Sequence, residues 1–203
     1  MTDRNLSRRE RKKIETRQRL LESAFRLFRE CGYDTTTVEQ IAEAADIAKS
    51  TFFNYFGTKE TILPALAEWR LHQLNEALLP EQGAPASPVA RIKLALRLVA
   101  DDPLADPVLV RRLFAAGGYR LGLKPVHALT DLLAEQVCQA QAVGEIRADL
   151  SPVYLGSVIR TLFFQQLMMW HYDQRSVPLP ELLDGTVDLL LDGIAGPEWK
   201  HSS

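Results

Sequence analysis

Lys49, Ser50, Thr51, Asn54 and Tyr55 bring an ammonium, three hydroxyls and a carboxamide into seven consecutive positions, interleaved with Phe52 and Phe56. In a helix from about Lys49 to Phe56, those two phenylalanines fall on one face at i and i+4 and leave the polar residues outward. Such a face suits base edges in a DNA major groove. Lysine matches the O6 and N7 acceptors of guanine, and asparagine matches the N6 and N7 pattern of adenine. Lys49, Ser50, Thr51 and Asn54 are therefore the candidates for base contact, and Thr37, Tyr55 and Lys59 for phosphate. Phosphate contacts supply affinity and position, base contacts supply sequence choice. Thr37 and Lys59 are placed at helix N-termini, where free backbone amides also favour anions. For each of these residues the plainer alternative is an ordinary exposed polar side chain.

Positioning that face requires a second helix and a tight turn. Val38, Ile41, Ala42 and Ala45 carry i, i+3, i+4, i+7 spacing, with Thr36 or Thr37 as a capping-box N-cap through Glu39 or Gln40 three residues on. The small residues Ala42, Ala44 and Ala45 admit a close helix crossing. Asp46-Ile47-Ala48 has the length of the turn in a helix-turn-helix, whose second helix enters the groove.

Composition sets the class. The chain has 203 residues, 46% hydrophobic and 25% charged, ordinary for a globular protein. It has no apolar run of the roughly 18 residues needed to span a membrane. The N-terminus is basic rather than apolar, unlike a secretory signal. Cys31 and Cys138 make no metal or disulfide framework, with Cys31 anticipated as a buried helix-end thiol rather than a redox switch. A cytoplasmic protein without cofactor or metal is expected. The net charge of −2 by itself argues against a polyanionic partner. Its distribution reverses that: residues 1–20 hold eight basic side chains and three acids, whereas residues 61–203 hold 12 basic and 16 acidic. An arm from Arg4 to Lys13 is thus available to the DNA backbone or the neighbouring minor groove, unless it is merely a solvated tail.

Helical periodicity recurs throughout and strand patterns are absent. An opening helix is expected from Arg8 to Glu30, with Ile14, Leu21, Phe25 and Phe28 on its apolar stripe and Gly32 as a left-handed C-cap. Thr58 is read as capping a fourth helix from Lys59 to about Leu79, with Pro64 as a possible kink. After the loop at residues 80–88, helices are expected over Pro88–Ala100, Pro107–Ala116, Pro125–Val143, Pro152–Tyr172 and Pro180–Ile194, five segments with proline at their starts. The expectation is an all-α fold of about nine helices. Residues 1–57 form a helix-turn-helix domain with its basic arm, and 58–203 a helical effector-binding and dimerisation domain.

Over residues 14–63 the chain resembles the TetR family of bacterial transcriptional regulators. The resemblance rests on Ala24, Phe28-Arg29-Glu30, Gly32-Tyr33, Thr36-Thr37-Val38, Ile41-Ala42, Ala45, Lys49, Thr51, Phe56, Lys59-Glu60 and Leu63, all in one register. Three positions depart from the family pattern. Asp46 stands for the usual turn glycine, Ala48 for the usual serine cap, at ~1 kcal/mol of capping, and Phe53 for a common tyrosine whose hydroxyl would meet a phosphate. These bear on the operator and its affinity.

One helix-turn-helix reads only a few base pairs, so a homodimer on a pseudo-palindromic operator is expected. The last two helices carry wide apolar stripes: Val153, Val158, Ile159, Leu162, Phe163, Leu167 and Trp170 on one, and Leu179, Leu182, Leu183, Val187, Leu190, Leu191 and Ile194 on the other. The resemblance implies a four-helix interface built from them; the alternative is packing inside one chain. It also implies a small, often hydrophobic effector enclosed by the larger domain and releasing DNA. Trp69, His72, Phe114, Tyr119, His127, Phe164, Gln165 and Met168 are the lining candidates, each of which could instead be core. Repressor is the commoner mode among such proteins, the alternatives being an activator or an orphan DNA-binding factor without effector. No nucleophile elbow, metal-ligand spacing or phosphate-binding glycine loop points to an enzyme.

Overall fold

In the computed structural model, residues 7–102, 105, 106, 109, 123–173 and 178–192 are described. Every regular element among them is helical: α1 Arg8–Cys31, α2 Val38–Ala44, α3 Lys49–Phe56, α4 Ile62–Ala77, a 3-10 turn at Pro80–Gln82, α5 Pro88–Ala100, α6 Leu123–Ala142, α7 Pro152–Asp173 and α8 Leu179–Asp192. The fold is all-α, with eight α-helices described against about nine anticipated. The segment Pro107–Ala116, read from sequence as a helix, lies outside the described residues apart from Leu109.

Two compact units divide the chain. The described residues of Met1–His72 and Asp102–Pro125 make the first, and those of Gln73–Asp101 and Val126–Ser203 the second. In the first, α1 begins on a capping box, the Ser7 amide donating to Glu10 Oε2 at 2.8 Å and the Glu10 amide to Ser7 Oγ at 3.2 Å. The serine hydrogen bonds hold the Glu10 carboxyl below its ordinary pKa. Leu20, Leu21, Ala24 and Phe28 of α1 join Ile41, Ala42, Ala45, Phe52, Phe56, Ile62, Leu63, Leu66 and Leu109 in one core. Ile14 was expected on that stripe but is 52% exposed, because α1 begins at Arg8 and its buried face only at Thr16. Cys31 is likewise exposed rather than buried. Gly32 adopts φ 84° and ψ 157°, a region open essentially to glycine but distinct from the left-handed helical cap expected.

α4 starts three residues later than the sequence suggested. The Thr58 amide donates to Thr61 Oγ at 3.2 Å and the Thr61 hydroxyl to the Thr58 carbonyl at 2.9 Å, so residues 58–61 close a turn before the helix. Pro64 is thereby the third residue of α4, where a helix has no amide acceptor to lose, and no kink is called for.

In the second unit α8 packs on α5 and α7. Leu179, Leu183 and Val187 of α8 and Ile159, Phe163 and Leu167 of α7 are buried beside Ile92, Leu96, Leu133 and Val137. Arg97 of α5 grips Asp184 of α8 with two guanidinium nitrogens, and Lys93 pairs with Asp188 one turn on. Arg91, only 7% exposed, donates from Nε to Gln136 Oε1 at 2.7 Å and from its terminal nitrogens to Gln139 Oε1 at 2.6 Å and to the Pro85 and Ala86 carbonyls at 3.0 Å. That one side chain ties the loop before α5 to α6.

Candidate nucleic-acid interface

Thr37, and not Thr36, caps α2. Its hydroxyl accepts from the Gln40 amide at 3.2 Å while Gln40 Oε1 accepts from the Thr37 amide at 2.8 Å. Thr36 is buried, its hydroxyl donating to the Gly32 carbonyl at 2.7 Å. The turn to α3 hinges on Asp46, which takes φ 53°. Aspartate tolerates this left-handed conformation better than most residues, so the turn forms without glycine. The Asp46 amide reaches the Glu43 carbonyl at 2.9 Å and the Ile47 amide the Ala42 carbonyl at 3.0 Å, which closes the turn. Ala48 has the extended backbone of an N-cap but no side chain to cap with.

α3 buries Phe52 completely and Phe56 nearly so, as its spacing required. Lys49, Ser50, Phe53 and Asn54 are exposed, Ser50 and Asn54 on the face opposite the buried phenylalanines. Thr51 and Tyr55 are half-buried. Besides Thr37, three of the sequence candidates are already engaged within the chain. Lys49 forms an ion pair with Glu39 of α2, and its ammonium lies 5.8 Å from the Phe53 ring centroid. Hydrogen bonding from Lys49, reinforced by a backbone hydrogen bond, lowers the Glu39 carboxyl pKa. The Tyr55 hydroxyl donates to the Lys13 carbonyl at 3.2 Å, linking α3 to α1. The Lys59 ammonium donates to the Tyr33 carbonyl and sits 4.2 Å from that ring's centroid. Lys59 precedes α4 by a turn and does not stand at its N-terminus. As the expected start of the first helix at Arg8 implied, Arg8, Arg9, Arg11, Lys12 and Lys13 are exposed residues of α1, so the basic arm is helical from Arg8 onward; Arg4 lies outside the described residues.

The effector candidates divide between the units. Trp69 and His72 belong to the first: Trp69 is half-buried, edge-on to Phe25 at 5.8 Å, and His72 is exposed. His127, Phe164, Gln165 and Met168 belong to the second, where His127 and Gln165 are exposed and Phe164 and Met168 half-buried. Phe114 and Tyr119 lie outside the described residues. Among the described residues no group of three His, Cys, Asp or Glu is placed to hold a metal, and no helix is long and apolar enough to cross a membrane.

The family model for bacterial regulatory proteins of the tetR family matches residues 20–66, the stretch from mid-α1 into α4 that builds this face. Over that stretch the chain is similar to regulators of the TetR family. The transcriptional regulator TcmR of Streptomyces glaucescens is 48% identical over 54 residues, 27% of this chain, and the match spans only 24% of TcmR. The repressor KstR of Rhodococcus jostii is 26% identical over 191 residues, covering 91% of this chain and 87% of KstR. Among solved structures, Thermus thermophilus FadR, a TetR-family repressor in complex with lauroyl-CoA, superposes with a TM-score of 0.61 at 28% identity, covering 92% of this chain and 99% of FadR. Likeness to TetR-family regulators is thus strongest in the helix-turn-helix and extends, more weakly, along the whole fold.

Proposed function

We propose that this chain is a TetR-family repressor that grips a pseudo-palindromic operator as a homodimer and releases it when a small hydrophobic effector binds. The observation that carries the reading is α3 itself: a short helix fixed by the buried Phe52 and Phe56, joined to α2 through the left-handed Asp46, with Ser50 and Asn54 exposed on its outer face. Asn54 is the adenine reader. Lys49 and Lys59 serve as cations oriented by Glu39 and by the Tyr33 carbonyl. Thr37 and the α1 row from Arg8 to Lys13 supply backbone contacts.

An effector with a long apolar tail is supported by the lauroyl-CoA held by the Thermus relative and by the half-buried Phe164 and Met168 of the second unit. Release follows if the effector favours a spacing of the two α3 helices that misfits successive major grooves.

The test is a fluorescence-anisotropy titration of duplexes from the chain's own upstream region, repeated across salt and with lauroyl-CoA. Salt-sensitive binding that prefers one duplex over its scramble, weakened by the acyl-CoA, is the expected result. Absence of binding to any duplex at low salt overturns the reading; binding indifferent to acyl-CoA overturns the effector class alone.

A further inference from the structure

Phe53 is the odd one among the exposed residues of α3. It is 42% exposed, although Phe52 beside it is fully buried and Phe56 nearly so. The ring is held firmly nonetheless. Phe52 packs against it edge-on, with centroids 5.7 Å apart and planes at 86°, and the Lys49 ammonium stands 5.8 Å from its centroid. Lys49 is in turn held by Glu39. Ser50 precedes Phe53 by one helical turn, and Asn54 follows it directly. The helix therefore presents a firmly held apolar knob on the flank between its buried face and the outward Ser50 and Asn54.

A major groove offers one apolar group to such a knob, the C5-methyl of thymine. The remaining base edges present mainly donors and acceptors, from which a phenyl ring gains little. The charge around the ring also favours selection over simple attraction. Glu39 neutralises the nearest cation, so this end of α3 draws polyanion less strongly than a free lysine would.

We propose that Phe53 is a specificity-determining residue that packs on a thymine methyl in each half-site, next to the adenine read by Asn54. The inference rests on the DNA-binding reading above and names the bases that this face selects. A thymine beside an adenine on one strand would satisfy the pair, so each half-site centres on A·T steps. Phe53 thus substitutes methyl recognition for the hydroxyl contact of the tyrosine common at this position.

The experiment replaces single thymines by uracil in an operator duplex selected from a random pool. Uracil deletes the methyl and keeps every hydrogen-bonding group. Binding of the wild-type chain is expected to fall about fourfold at one thymine per half-site, the factor corresponding to ~0.8 kcal/mol for a buried methyl. Phe53→Ala should bind thymine and uracil duplexes alike, and Phe53→Leu should keep part of the discrimination. Melting curves of both variants confirm folding before titration. An equal uracil penalty in wild type and Phe53→Ala overturns the proposal, as does salt-sensitive wild-type binding with no uracil penalty at any position. Failure to retain any duplex would instead strike the DNA-binding reading beneath it.

Discussion

Gly156 of α7 lies against the backbone of Ala134 in α6: a Cβ built at Gly156 would stand 2.9 Å from the Ala134 nitrogen and 3.0 Å from the Thr130 carbonyl oxygen. Both neighbours are main-chain atoms, which have no rotamer with which to move aside. Helix propensity alone favours alanine over glycine by roughly 1 kcal/mol. Overpacking a tight contact costs about 1–3 kcal/mol and more where backbone must shift. The clash wins. Gly156→Ala is expected to lower Tm by about 2–8 °C, taking about 2–4 °C per kcal/mol for a chain of this size. A raised Tm would show that the helices cross less closely.

Arg91 carries a second prediction about the same unit. Arg91→Met removes donors from Gln136, itself 5% exposed, from Gln139 and from two loop carbonyls. A buried acceptor left without a donor costs ~1–3 kcal/mol, offset in part because the guanidinium need no longer be desolvated. A net loss of about 3 kcal/mol in urea unfolding is expected, with Arg91→Lys intermediate. A loss below about 1 kcal/mol would mean that water replaces the guanidinium.

The contrast between these residues and the reading helices marks what sequence carries. α2, its turn and α3 were legible because every signal was local: a threonine cap three residues from Gln40, apolar residues at helical spacing, an aspartate able to take φ 53°. The links that bind distant segments left no such trace. Lys13 and Tyr55 lie 42 positions apart, and Arg91 and Gln136 lie 45 apart. Lys49 and Lys59 stood out in the sequence as cations, but their partners Glu39 and Tyr33 emerge only once α2 and the α1–α2 loop are placed. Gly156, an isolated glycine inside a helical pattern, was the one visible hint of the α6–α7 crossing. The start of α4 was misjudged because Thr58 and Thr61 bond each other, a choice no periodicity reveals.

Ala48→Ser supplies the side-chain cap that α3 lacks. The backbone at Ala48, φ −68° and ψ 143°, already has N-cap geometry. A serine hydroxyl there is placed to accept from the Thr51 amide and should add about 1 kcal/mol. The expected rise in Tm is about 2–4 °C, with operator affinity changed less than about twofold, since the cap stabilises α3 alike in the free and the DNA-bound chain. An unchanged Tm would show that the Thr51 amide is already fully satisfied by the Ala48 carbonyl, to which it bonds at 2.9 Å.

Lys59→Ala separates anchoring from phosphate contact. Losing the Tyr33 carbonyl and ring contacts lowers Tm on either account. Only loss of a phosphate contact changes how affinity responds to salt, by about 0.9 in the log–log slope per phosphate released. The expected outcome is a shallower slope by about one unit per subunit, with the ratio of operator to scrambled affinity unchanged. A lower Tm with an unaltered slope would reduce Lys59 to an anchor.

The stripe on α8 runs past what this chain covers. Leu183 and Val187 are 1% and 3% exposed, yet Leu190 and Leu191, continuing the same rows at i+3, i+4 and i+7, are 39% and 42% exposed. On α7, Val158 and Leu162 are only half-buried and Val153 is 57% exposed. A second copy is the occupant that a two-fold operator demands. Burying a leucine stabilises by about 1.5–3 kcal/mol, and a two-fold interface counts it twice. Leu190→Glu removes both and places two carboxylates in the seam, so the dimer dissociation constant should rise at least about 100-fold, or ~2.7 kcal/mol. Light scattering at micromolar concentration should then report a monomer, and operator preference should fall toward that for scrambled duplex because each subunit reads one half-site. A variant that remains dimeric with full preference would move the interface off the C-terminal end of α8.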